Sequence, residues 1–173
     1  MKFAQKLQCN PSHRATQHLY EFLEKNNHPI TESGNFLCYK RVRSNFMDIH
    51  SGTFDNSVGN TVSMPRNKVN EDPNQTCSAG LHVCACSYLS HFGSPDEPIL
   101  EVEVDPKDVV AIPIDYSQSK MRVSSYKVLG VVEQERVDAL RYNNPSDEEA
   151  FDCDECDHVD CDCDINYQEE ENI

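Results

Sequence analysis

No stretch of the 173 residues holds the roughly 18 consecutive apolar side chains a helix needs to cross a bilayer, so none of it reads as a membrane span. The opening residues, MKFAQKLQ, have no apolar core of signal-peptide length. The compartment expected from this is a reducing one, where thiols stay free or bind metal. No internal repeat occurs, which excludes solenoid and propeller architectures. No face is basic enough to suggest duplex nucleic acid as the main partner. Lys and Arg are absent altogether from Asp147 to the last residue.

That last absence decides how the charge is read. The formal net charge is −15, but 13 of the 30 acidic residues lie from Asp147 onward. The first 146 residues hold the other 17 against all 15 Lys and Arg, a formal charge of −2. The chain is therefore a near-neutral body with an acidic tail. Four of the nine cysteines are in that tail.

The body alternates strand and helix signals. NPSHRATQHLYEFLEKNNHPI predicts a helix with Ser12 as its cap, because a hydroxyl satisfies an orphan N–H. Ala15, Leu19, Phe22 and Leu23 fall on one apolar stripe, and Pro29 disfavours helix at His28. NFLCYKRVR predicts a strand, with Cys38 a small buried residue. The segment from residue 44 to 80 is rich in Asn, Gly, Ser, Asp and Pro, and NTVSMP predicts one short strand within it. LHVC reads as a strand and ACSYLSHF as helical turns ending at Gly93. In PILEVEV, Leu100, Val102 and Val104 alternate with acids, which predicts a half-exposed strand near a sheet edge. VVAIPI predicts a second strand, MRVSSYKVLGVVEQ a third, and ERVDALRYNNPSDEEAFD a short helix leading into the tail. The fold class expected is α+β: a small mixed or antiparallel sheet with an N-terminal helix and peripheral helices, plus the tail. The organisation is 1–33 helix and connection, 34–140 body, 141–173 tail.

Three places carry potential chemistry. TCSAGLHVCACSY packs Cys77, His82, Cys84 and Cys86 together. A thiol nucleophile with His82 as base needs a shared pocket and a lowered thiol pKa. In an extended LHVC, however, Leu81 and Val83 share one face and His82 and Cys84 the other, and cysteines are usually buried. Gly80 allows an unusual backbone angle or a close approach that delivers His82 to a pocket wall. The long loop supplies hydrogen-bonding groups suited to a polar ligand: His50, Asp55, Asn56, Arg66 and Asn67. Most of its Asn and Asp residues are expected to make Asx turns. In the tail, Cys153-x2-Cys156, His158 and Cys161-x-Cys163 could close round Zn²⁺, with Cys153, Cys156, Cys161 and Cys163 as thiolate ligands. Set against this is a solvated acidic tail with incidental cysteines.

The longest motifs, HSGTFDNSVG, MPRN, TCSAGLH and DPKDVVAIP, within residues 34–130, resemble the tailed-phage rapid-lysis protein B (RIIB) family. The resemblance implies a phage product acting in infected bacteria, in lysis control or in escape from exclusion by a resident prophage, with a partner, RIIA. It carries no biochemical activity with it. The function expected is a non-enzymatic binding module whose acidic tail meets a basic protein surface, of phage or host. It would act in the host cytoplasm, at the membrane through a partner, or packaged in the virion. A second expectation comes from a loose likeness in the order of parts to ADP-ribosyltransferase-like folds. There Arg43, His50, Arg66 and His82 would hold a nucleotide-like ligand, with His82 the catalytic candidate. The acidic residue such an enzyme needs is not evident. A third expectation is a minor virion component.

Overall fold

The computed structural model describes residues 2–133, 135–137 and 139. Seven strands form one sheet in the order β2-β7-β4-β1-β3-β6-β5, antiparallel at every pairing. They are β1 (Phe36–Arg41), β2 (Thr61–Ser63), β3 (Leu81–Cys84), β4 (Ile99–Val104), β5 (Val109–Ala111), β6 (Lys120–Val123) and β7 (Ser125–Val132). Of the two sheet types expected, the antiparallel one is present.

Two helices precede the sheet, α1 (Lys2–Gln8) and α2 (His13–Lys25). Ser12 caps α2 as expected, its Oγ accepting from the Ala15 N–H at 3.2 Å. Ala15, Leu19, Phe22 and Leu23 are all buried and join Phe36, Val102, Val109 and Met121 in the main core. α1 was not expected. It seats Leu7 in the same core and is tied down by an ion pair of 2.8 Å from Lys6 to Asp105. Gly34, at φ 82°, makes that seat available: a Cβ there would lie 2.6 Å from the Phe3 backbone nitrogen.

The sheet cannot be flat. Four neighbour steps separate β6 from β7, roughly 19 Å at ~4.8 Å per step. Yet Ser124 alone joins them, and one residue reaches only ~3.5 Å. The sheet therefore curls until its edges approach. Ser124 records this directly: its N–H donates to Asp108 O, before β5, and its carbonyl accepts from Met64 N–H, after β2, each at 2.9 Å. The concave side holds the main core. A smaller cluster on the other side gathers Tyr39, Cys84, Leu89, Ile99, Val132 and Val137.

Two expectations are corrected. β4 is not near an edge, since it pairs with β1 on one side and β7 on the other. Its acidic face is covered by distant polar groups. Glu103 accepts from the hydroxyls of Thr31 at 3.2 Å and Ser33 at 2.9 Å, and Arg136 reaches Glu101 at 3.0 Å. Burial pushes the Glu103 carboxyl up, but hydrogen bonds from Asn35, Ser33 and Thr31 outweigh it and hold the group below its usual range. The segment read as a single third strand is two, β6 and β7, broken at Ser124. VVAIPI forms a strand over Val109–Ala111 alone, and ACSYLSHF supplies a 3₁₀ helix, Ser87–His91.

Candidate functional site

The long loop is built from side chains that satisfy its own backbone. Asp48 is buried and accepts from the N–H groups of Ser51 at 2.7 Å, Thr53 at 2.8 Å and Phe54 at 2.8 Å. Burial pushes its carboxyl up. The bonds from Phe54 and Ser51, with the Lys40 charge, more than offset that and hold it below the usual range. Asx turns, where an Asn or Asp oxygen takes the N–H two residues on, occur at Asn10, Asn45, Asp55, Asn70, Asp72 and Asp105. Within the loop itself, four of the nine Asn and Asp residues make such turns, fewer than the majority expected.

The recorded contacts put the seven expected ligand residues in several different places. Arg43 folds back on its own loop, donating to Ile49 O at 2.5 Å through Nη2. Asp55 takes the Ser57 N–H at 2.9 Å and Asn60 Nδ2 at 3.0 Å. Asn56 is fully buried; it donates to Phe54 O at 2.9 Å and accepts from the Tyr126 hydroxyl. Arg66 sits at the seam where the sheet edges meet, bound to Lys107 O, Val109 O and Asn10 Oδ1 at 2.9, 2.9 and 3.0 Å. Asn67 is exposed on a 3₁₀ helix, Arg66–Lys68. The His50 ring lies against Phe92, centroids 5.0 Å apart.

His82 is half-buried on β3, directly across from Arg122 on β6. Gly80, at φ 155°, fits the special backbone expected of it. A Cβ there would lie 2.9 Å from Val69 Cγ1 and 3.1 Å from Arg122 Cδ. The glycine thus lets the stem of Arg122 pass, and that guanidinium donates to the carbonyls of Gln75 and Asp72, each at 2.6 Å. Loop 70–79 is pinned over the sheet beside His82 in this way.

Next to it lies a constellation that sequence reasoning missed. Lys120 on β6 is buried and pairs with Asp115 at 2.7 Å. Its Nζ stands 5.6 Å from the Tyr88 ring centroid and 5.4 Å from that of Tyr116, within cation–π range. Tyr88, His91 and Tyr116 contact one another, with Tyr88–Tyr116 and His91–Tyr116 centroids both at 5.1 Å. The turn carrying Tyr116 is strained: Tyr116, Ser117 and Gln118 all have positive φ, at 45°, 53° and 60°, a region L-residues avoid. DYSQS contains no Gly or Asn to announce it. The alternation of Lys120 and Arg122 with Met121 and Val123 resembles a solvent face, but loops cover that face. Chemically, the patch offers ring faces and imidazoles, while its cations are already engaged.

The body cysteines act as packing residues and weak donors. Cys38 and Cys84 are buried, and burial drives the Cys38 thiol well above its ordinary pKa. Cys84 donates to Tyr39 O at 3.4 Å and Cys86 to Val137 O at 3.3 Å. Among the described residues no group of three or more His, Cys, Asp or Glu could hold a metal ion. The tail positions Cys153, Cys156, Cys161 and Cys163 lie outside the described residues. Among the described residues, no helix is long and apolar enough to cross a membrane.

Comparison with known proteins extends the likeness beyond residues 34–130. The sequence profile of the family described as Bacteriophage T4 protein rIIB matches residues 1–138, both N-terminal helices included. Protein rIIB of Enterobacteria phage T4 is 53% identical over 127 residues, which is 73% of this chain and 41% of that protein. The chain thus spans about two fifths of the relative it matches. No solved structure matches.

Proposed function

The chain belongs to the rIIB family of bacteriophage proteins, and from that membership we propose that it is a phage accessory protein: a non-enzymatic interaction module acting in the infected host, in lysis control or counter-defence. One observation carries the non-enzymatic part. The cations best placed to do chemistry are committed to backbone carbonyls. Arg41 binds Leu89 O, Ser94 O and Glu97 O, Arg122 binds Gln75 O and Asp72 O, Lys40 binds His82 O, and Arg66 binds two carbonyls at the seam. Groups used this way fix loop shape, which suits a preformed recognition surface.

The acidic tail then supplies long-range attraction to a basic protein surface, a term that salt weakens. The partner is of phage or host origin, and the module works in the cytoplasm, at the membrane through that partner, or in the particle. The test is partner binding by the full chain and by a chain ending at residue 146, at low and at high salt. Binding that falls with the truncation and with salt supports the proposal. Binding indifferent to both refutes the role of the tail.

A second reading has an observation in its favour. The ring cluster of Tyr88, His91 and Tyr116 offers stacking faces for a nucleobase, with His82 on a nearby strand. A nucleotide that raises the melting temperature favours this reading, and loss of that shift on Tyr116→Ala would locate the ligand.

A further inference from the structure

The ring cluster beside β6 extends further than three residues. The Tyr88 ring also meets Phe92, at an interplanar angle of 19° with centroids 6.4 Å apart, and Phe92 meets His50 at 5.0 Å. Five rings thus run in unbroken contact, from His50 through Phe92 and Tyr88 to Tyr116 and His91. None of the five is buried: His91 is exposed and the other four are half-buried. Three segments distant in sequence supply them: the loop after β1, the 3₁₀ helix Ser87–His91 with Phe92 at its end, and the turn Tyr116–Gln118. That turn holds three consecutive left-handed residues to put Tyr116 here, and such strain concentrates where a ligand is held.

Charge and spacing decide what the rings take. Buried Lys120 already makes the cation–π contact with both Tyr88 and Tyr116, so a second cation there meets a like charge. A planar uncharged group meets no such penalty, and every nucleobase has a π-face. Neighbouring rings lie 5.0 to 6.4 Å apart, wider than the roughly 3.4 Å rise of bases stacked in a duplex. That spacing suits bases splayed from one strand and laid on separate rings. Cations stand at both ends of the run. Exposed Lys25 donates to Ser117 O at 2.9 Å, next to Tyr116, and its ammonium has two further N–H groups to offer phosphate oxygens. Exposed Arg43 is bound to Ile49 O, beside His50. Asp115 and Glu97, acids near the rings, are engaged: Asp115 pairs with Lys120 at 2.7 Å and Glu97 takes the Ser94 N–H at 2.8 Å. We propose that the five rings form a binding surface for a short single strand of nucleic acid, with its phosphates reaching Lys25 and Arg43. The proposal rests on the second reading above, a nucleobase on Tyr88, His91 and Tyr116, and extends it from one base to a strand.

Fluorescence anisotropy of the full chain with a labelled oligodeoxyadenylate of about eight nucleotides tests this, a length within the range of known single-strand sites. AMP and the same oligonucleotide paired with its complement are the competitors. The single strand is expected to bind at least about tenfold more tightly than either, with an affinity that falls as salt rises. His50→Ala should weaken the strand by about fivefold or more. His91→Ala, at an exposed position, should weaken the strand and AMP alike. AMP binding without a tighter strand, or a strand indifferent to His50→Ala, overturns the proposal and leaves the nucleobase reading standing. A duplex bound as tightly as the single strand overturns it as well. Indifference of both ligands to His91→Ala places them off the rings and overturns both readings, as does failure of strand and AMP alike to bind.

Discussion

Arg66 Nη2 donates to Val109 O at 2.9 Å, across the line where the two edges of the curled sheet meet. The same guanidinium holds Lys107 O and, through Asn10 Oδ1, the connection between the two helices. Asn10 in turn donates to Pro106 O and Val109 O at 2.8 Å each. Arg66 and Asn10 together close the seam.

Arg66→Ala should therefore cost about 2–3 kcal/mol of folding stability, since it leaves carbonyls without a charged donor. Arg66→Lys should recover only part, because one ammonium cannot span three acceptors in the guanidinium plane. Urea denaturation of the two variants measures both values. A loss below about 0.5 kcal/mol for Arg66→Ala, the size of an ordinary surface change, would contradict the seam.

His28 predicts how stability depends on pH. Burial lowers its pKa to about 4, against the opposing effect of its bond to Leu37 O. The ring stacks on Phe22 with centroids 4.7 Å apart. The folded state resists protonation that the unfolded state accepts, so the contribution is fully present above pH ~6.5 and is lost as pH falls towards 4. The difference is on the order of 3 kcal/mol. Asp48 and Glu103, whose pKa values are lowered from 3.8 and 4.5, act at lower pH. Unfolding free energy measured from pH 7 to pH 4.5 should fall in the native chain and fall less in His28→Phe. Equal slopes would contradict it.

The strained turn makes a prediction of opposite sign. Ser117 is exposed and left-handed, at φ 53° and ψ 31°, where glycine carries no Cβ penalty. Ser117→Gly should raise stability by up to about 1 kcal/mol. By contrast, Lys120→Met leaves the half-buried Asp115 without its cation and should destabilise by about 2 kcal/mol. Thermal melts of the two variants should move in opposite directions. A melting point lowered by Ser117→Gly would mean that the serine side chain is itself needed there.

Much of the fold is legible because local chemistry decides it. Ser12 and the Ala15–Leu19–Phe22–Leu23 stripe specify α2 without help from elsewhere. Leu100, Val102 and Val104 announce β4 in the same way. What is not legible depends on residues far apart in sequence. The glutamates of β4 suggested an edge because nothing nearby in sequence covers them; Thr31, Ser33 and Arg136 do so from a distance. The break at Ser124 left one trace. The buried apolar positions run Met121, Val123, then Tyr126, Val128, a slip in the two-residue phase that a single strand would not show.

At the candidate site, Asn45, Asp55, Asn70 and Asp72 are the turn formers expected, but the loop's other five Asn and Asp residues make no such turn among the described residues. Gly80 was read correctly as a position of close approach, although the group that approaches is the stem of Arg122. The patch of Tyr88, His91, Tyr116, Asp115 and Lys120 was missed, because a 3₁₀ helix, a turn and a strand combine to form it.

Native mass spectrometry of the full chain recovered from phage-infected cells tests the central proposal most directly. The account predicts the chain in complex with another protein, and loss of that protein when residues 147–173 are removed. A chain that carries only a nucleotide, or that recovers the same partner without its tail, would contradict it.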